Sequence, residues 1–106
     1  MITYPKIETL YERDPAIRKV NPNRFRCPEF ALIRRWRLTE KIDGTNIRVG
    51  LAADGRVLFS GRSDNAQIPP HLLTYLTETF PAERMAAAFT SGAEVMLFGE
   101  GYGEKI

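Results

Sequence analysis

The chain has 106 residues, 43% of them hydrophobic and 26% charged, the composition of one small folded domain rather than of a disordered chain. Its net charge is +2, a surplus too small to imply nucleic acid by itself. The single cysteine, Cys27, excludes an intrachain disulfide and a Cys-rich metal site and fits a reducing, cytoplasmic compartment; no apolar run is long enough to span a membrane, and the first residues lack a signal-peptide core.

In chain order, residues 1–28 are broken by Pro5, Pro15, Pro22 and Pro28. Within them Lys6–Tyr11 reads as a short strand and the rest as irregular. Arg24, Arg26, Arg34, Arg35 and Arg37 crowd one short interval before Lys41, which on charge pattern alone is either a solvated face or a contact for nucleic acid. Glu29–Arg35 places Phe30 and Ile33 on one side of a short helix. Trp36–Glu40 reads as a strand, and Thr45–Leu51 reads as a clearer one. In the latter, Ile47, Val49 and Leu51 alternate with Asn46, Arg48 and Gly50. Asp54-Gly55 marks a hairpin turn with Arg56–Ser60 as the returning strand. Gly61–Pro70 is a polar loop. His71–Phe80 and Ala82–Phe89 are helical, divided at Pro81. Ala93–Phe98 is an apolar strand running into the glycine-rich turn "GEGYG".

This order predicts an α+β fold: a mostly antiparallel sheet of four strands, with the 71–89 helices on one face. A buried-looking strand followed so closely by the last residue predicts a single domain over 1–106 that is the front, incomplete part of a larger one, or a truncated relative. An uncovered strand of that kind also predicts self-association.

The stretch "EKIDGTN" sets Lys41 and Asp43 at the mouth of a strand. Lys41 reads as a surface lysine beside a turn or as a nucleophile. An amine attacks only when neutral, so the second reading needs burial or nearby cations. Asp43 is placed to orient that amine or to hold the water shell of a metal. Gly44 would let a ligand approach the main chain. Asn46, Arg62 in "GRSD" and Glu100 in "FGEGYG" follow in sensible order, although each also has an ordinary reading as a strand, loop or turn residue.

Together "TEKIDGTNIRV", "GRSD" and "FGEGYG" resemble the covalent nucleotidyltransferase superfamily of polynucleotide ligases and RNA capping enzymes, and within it the RNA-ligase-2-like RNA ligases. The likeness runs from about Tyr4 onward. It implies part of a nucleotidyltransferase (ATP-grasp-like) domain. It also implies ATP and Mg2+ as cofactors and RNA 5′-phosphate and 3′-hydroxyl ends as partners. The implied reaction goes through a lysine–AMP adduct. Carried over by motif, Lys41 is the nucleophile, Glu40 contacts the adenine edge, Asp43 faces the metal's water shell or the lysine, and Gly44 lies close to the nucleotide. Asn46 contacts phosphate or the RNA end, Arg62 the ribose or phosphate, and Glu100 a ribose hydroxyl. Some RNA ligases carry histidine where this chain has Asp43.

The family's adenine-stacking aromatic, late metal-side carboxylate and late lysine pair follow the third motif in relatives, and this sequence ends soon after it. The 106-residue chain alone is therefore expected to have little or no ligase activity. The alternative function is a non-catalytic nucleotide- or RNA-binding module built on the same pocket edge, and a third is a structural remnant.

Overall fold

The computed structural model describes residues 1–104. Its architecture is α+β, with two antiparallel sheets and two α-helices among the described residues. The chain divides into two compact units, Pro5–Glu40 and the remainder, Met1–Tyr4 with the residues from Lys41 onward.

The smaller unit is a hairpin followed by one tight turn of helix. Strand β1 (Tyr11–Arg13) pairs antiparallel with β2 (Val20–Phe25), with Tyr11 opposite Phe25. The two rings stack at 5.5 Å with 10° between their planes, the cross-strand aromatic contact that most helps a short ladder. Strand β2 lies in a stretch expected to be irregular. Pro22 argues against an interior strand, but both strands of a two-stranded ribbon are edges, where a residue without an N–H is tolerated. The strand expected at Lys6–Tyr11 falls later, at β1. The expected helix at Glu29–Arg35 shrinks to a single 3-10 turn over Pro28–Leu32.

No strand forms at Trp36–Glu40. Its alternation is strand-like, but no described strand pairs with it, and Leu38 stands 94% exposed. Extended propensity does not hold a strand without a neighbour.

The larger unit is built on strand β3 (Thr45–Leu51), the centre of a three-stranded sheet between β4 (Val57–Ser60) and β5 (Val95–Gly101). Both pairings are antiparallel, with Val49 opposite Phe59 on one side and Leu97 on the other. The β3–β4 turn closes with the Gly55 N–H donating to the Ala52 carbonyl at 2.9 Å. Gly55 takes φ +90° there, which a side chain would resist.

Helices α1 (Pro70–Thr79) and α2 (Ala82–Ala88) cover one face of this sheet. Ile47, Val49 and Leu51 form a buried core with Leu72, Leu76 and Met85, as the period-2 pattern of β3 requires. Strand β5 runs past the expected Phe98 to Gly101, because Thr45–Ile47 supply a ladder for Gly99–Gly101. The glycine-rich stretch read as a turn is, over residues 99–101, strand.

Candidate functional site

Strand register decides which side chains meet. On β3 the odd-numbered residues face the helices, so Asn46 and Arg48 face the other way. Asn46 lies directly opposite Glu100 of β5, and Arg48 lies between Phe98 and Ser60. Directly paired residues share a face, with Cβ atoms about 5 Å apart. Two residues 54 positions apart in sequence, each singled out from a different motif, are therefore neighbours.

The turn into β3 is fixed by the same carboxylate. Glu100 Oε1 accepts a hydrogen bond from the Gly44 N–H at 3.1 Å. A side chain at Gly44 would drive its Cβ into the Gly101 carbonyl oxygen. The glycine of the lysine motif thus has a packing reason of its own: the main chains of the motif and of β5 cross too closely for anything larger.

Lys41 and Asp43 are exposed, on a stretch without regular structure that leads into Gly44. Asn46 and Glu100 are half-buried, and Arg62 is exposed on the loop after β4. Glu40, exposed, belongs to the smaller unit. The structure therefore brings Gly44, Asn46 and Glu100 together, and leaves Lys41, Asp43 and Arg62 as solvent-facing side chains, the first two before β3 and the third after β4.

A cleft of about 890 Å3 opens between α1 and β5, lined by His71, Tyr75, Leu97, Glu100 and Tyr102 among others. Lys41, Asp43, Asn46 and Arg62 do not line it, and Glu100, set by its pairing with Asn46 on the opposite face, borders it only as part of the edge strand β5. This cleft lies on the helix-covered face, away from Asn46 and Arg48.

The sequence reading passed over Arg48, taking it as part of the polar face of an amphipathic strand. It is 1% exposed. Its Nε donates to the Gly61 carbonyl at 2.8 Å and its Nη1 to the Ile2 carbonyl at 2.9 Å. Its Nη2 donates to Ser60 Oγ and to Asp64 Oδ1, each at 2.7 Å. The hydrogen bond from Arg48 holds the Asp64 carboxyl below the usual carboxylate range, and the Met1 ammonium adds to the effect. The signal available in the sequence was Ser60 and Asp64, two short polar side chains flanking "GR" on the returning strand and loop.

Among the described residues no group of three or more His, Cys, Asp or Glu side chains is placed to hold a metal ion. No helix among them is long and apolar enough to cross a membrane. No family model, no curated protein and no solved structure matches this chain.

Proposed function

We propose that the larger unit carries part of a nucleotidyl-transfer site of the RNA-ligase type, with Lys41 as the nucleophile toward ATP. The observation that supports the reading is the Gly44–Glu100 hydrogen bond. It ties the lysine motif to the Gly-Glu motif across 56 residues, and Asn46 pairs with Glu100 beside it. Residues that resemble one family's motifs in sequence are also joined in space.

In this reading the Lys41 amine attacks the α-phosphorus of ATP. A phosphorus–nitrogen bond forms, pyrophosphate leaves with the bonding electrons, and the amine gives up a proton. The AMP then passes to an RNA 5′-phosphate, and a 3′-hydroxyl displaces it. A covalent adduct divides one difficult step into easier ones. Glu100, held by the Gly44 N–H, is oriented to accept a ribose hydroxyl, and Arg62 supplies positive charge from the neighbouring loop. The donor set suits Mg2+ held mostly by the nucleotide, since that ion usually takes one or two carboxylates plus substrate phosphates, and Asp43 is an exposed carboxylate of the lysine motif. When bound it would offset phosphate charge.

The second reading is a binding module without turnover. It is favoured by the exposure of Lys41, because a lysine nucleophile is normally made neutral by burial or by neighbouring cations.

An ATP titration followed by backbone NMR, with intact-mass measurement beside it, tests both. The proposal expects amide shifts concentrated at residues 41–46, 62 and 100. In a longer chain that also carries the late lysine pair and the metal-side carboxylate, it expects a product heavier by one AMP, with that adduct lost in Lys41→Ala and in Lys41→Arg. Shifts at these residues without an adduct in that longer chain select the binding module. No shift there, or shifts confined to the α1–β5 cleft, removes the site assignment.

A further inference from the structure

Arg48 sits between two core residues of the central strand, where a charge is costly unless hydrogen bonds replace its water. Nη1 holds the Ile2 carbonyl, and the other three replacements converge on one loop. Arg48 Nε holds the Gly61 carbonyl, and Nη2 holds both Ser60 Oγ and Asp64 Oδ1. Ser60 Oγ extends the link by donating to the Ser63 carbonyl at 3.1 Å. Residues 60, 61, 63 and 64 are all tied, directly or through Ser60, to one buried guanidinium. Arg62 is the residue between them, and its side chain is exposed.

We infer that Arg48 is a positioning residue: a buried guanidinium that clamps the Ser60–Asp64 loop and so fixes where the Arg62 side chain meets a nucleotide phosphate or ribose. This rests on the nucleotide-binding reading above and adds to it a residue outside the motifs that suggested it. Arg48 does not itself reach the ligand. Each of its three nitrogens is engaged by protein, and the side chain is closed off from solvent. Its planar fork suits the task, because donors pointing in fixed directions can hold a carbonyl, a hydroxyl and a carboxylate at once. A lysine keeps the charge but not that geometry. A loop already held in place loses little freedom when the ligand arrives, so more of the Arg62–phosphate attraction is left as affinity.

The alternative is that Arg48 only stabilises the fold, and a double-mutant cycle separates the two. ATP affinity is measured for the wild-type chain, Arg62→Ala, Arg48→Lys and the double variant. Hydrogen exchange of the Arg62, Ser63 and Asp64 amides is followed in each. Arg48→Lys is expected to weaken ATP binding about tenfold, the scale of one charge-assisted hydrogen bond. The double variant should bind within about twofold of Arg62→Ala alone, because the clamp acts only through Arg62. The loop amides should exchange faster in Arg48→Lys while those of α1 stay protected. Additive losses, or faster exchange across the whole unit, overturn the inference. If Arg48→Lys does not fold, Ser60→Ala replaces it. That change removes the Arg48–Ser60 and Ser60–Ser63 hydrogen bonds while leaving Arg48 bonded to Gly61 and Asp64, and it should lower affinity about threefold in the wild-type background and not at all beside Arg62→Ala. A wild-type chain that binds no ATP defeats the site reading instead, and the exchange rates then decide by themselves whether Arg48 clamps the loop.

Discussion

Gly44 shows how a single residue can serve packing and chemistry together. Its Cα faces the Gly101 carbonyl with no room for a methyl group, and its N–H holds Glu100. Gly44→Ala should therefore destabilise the chain by about 1–3 kcal/mol through overpacking, read as a lower urea midpoint. An unchanged midpoint would show that the crossing relaxes easily. Asp64 offers a second residue-scale test. Its pKa is depressed chiefly by the Arg48 hydrogen bond, so its contribution is present above the ordinary aspartate value, about 3.9. That contribution is lost as pH falls through the lower folded-state value. The Arg48 Nη2 resonance, on the nitrogen that donates to Asp64, should titrate below the ordinary aspartate value, and Asp64→Asn should abolish the transition; titration at or above that value would contradict the pairing. The lysine motif and Glu100 stand out in the sequence because they are recognisable residue types in motifs, and the structure joins them at Gly44. Arg48 does not stand out, since alternation marks a residue's face and not whether the chain elsewhere covers that face.

At the scale of elements, β3, β4 and the two helices lie within a residue or so of where periodicity and punctuation put them. These are segments whose apolar pattern is satisfied by one buried face. Two of the misses share a cause. The end of β5 and the absence of a strand at Trp36–Glu40 were both decided by whether a neighbouring strand was available, a property of the partner and not of the segment. Helix α1 provides an internal control for the core. Leu72 is 5% exposed and its neighbour Leu73 is 41% exposed. Leu72→Ala should cost about 2–5 kcal/mol in thermal or urea unfolding, and Leu73→Ala within about 0.5 kcal/mol. Equal losses would mean that α1 does not present Leu72 to the sheet.

Over the whole molecule the buried residues all belong to the larger unit. The hairpin unit owes its order to the β1–β2 ladder, the Tyr11–Phe25 stack and surface ion pairs such as Arg24–Glu12 at 2.9 Å. Exposed pairs contribute little, and a two-stranded ribbon is marginal by itself. Native-state hydrogen exchange should therefore show β1 and β2 amides opening well below the free energy needed to open β3. Comparable protection in both would show that the hairpin shares the stability of the larger unit. The predicted single domain was inferred from length, and length says nothing about how evenly a core is shared.

The Glu100 carboxylate that steadies Gly44 has a consequence in time. The lysine segment is made early on the ribosome and its anchor comes 56 residues later. At the usual pace of about 5–20 residues per second, Lys41 waits several seconds as part of a nascent chain before β5 can pair. The hairpin β3–β4 is local and can close during that wait, whereas the pairing that brings Glu100 to Gly44 has the larger loop to close. The link between the lysine motif and Glu100, on this ordering, is the product of β5 docking, and a chain stalled before residue 95 would display the motif without that link.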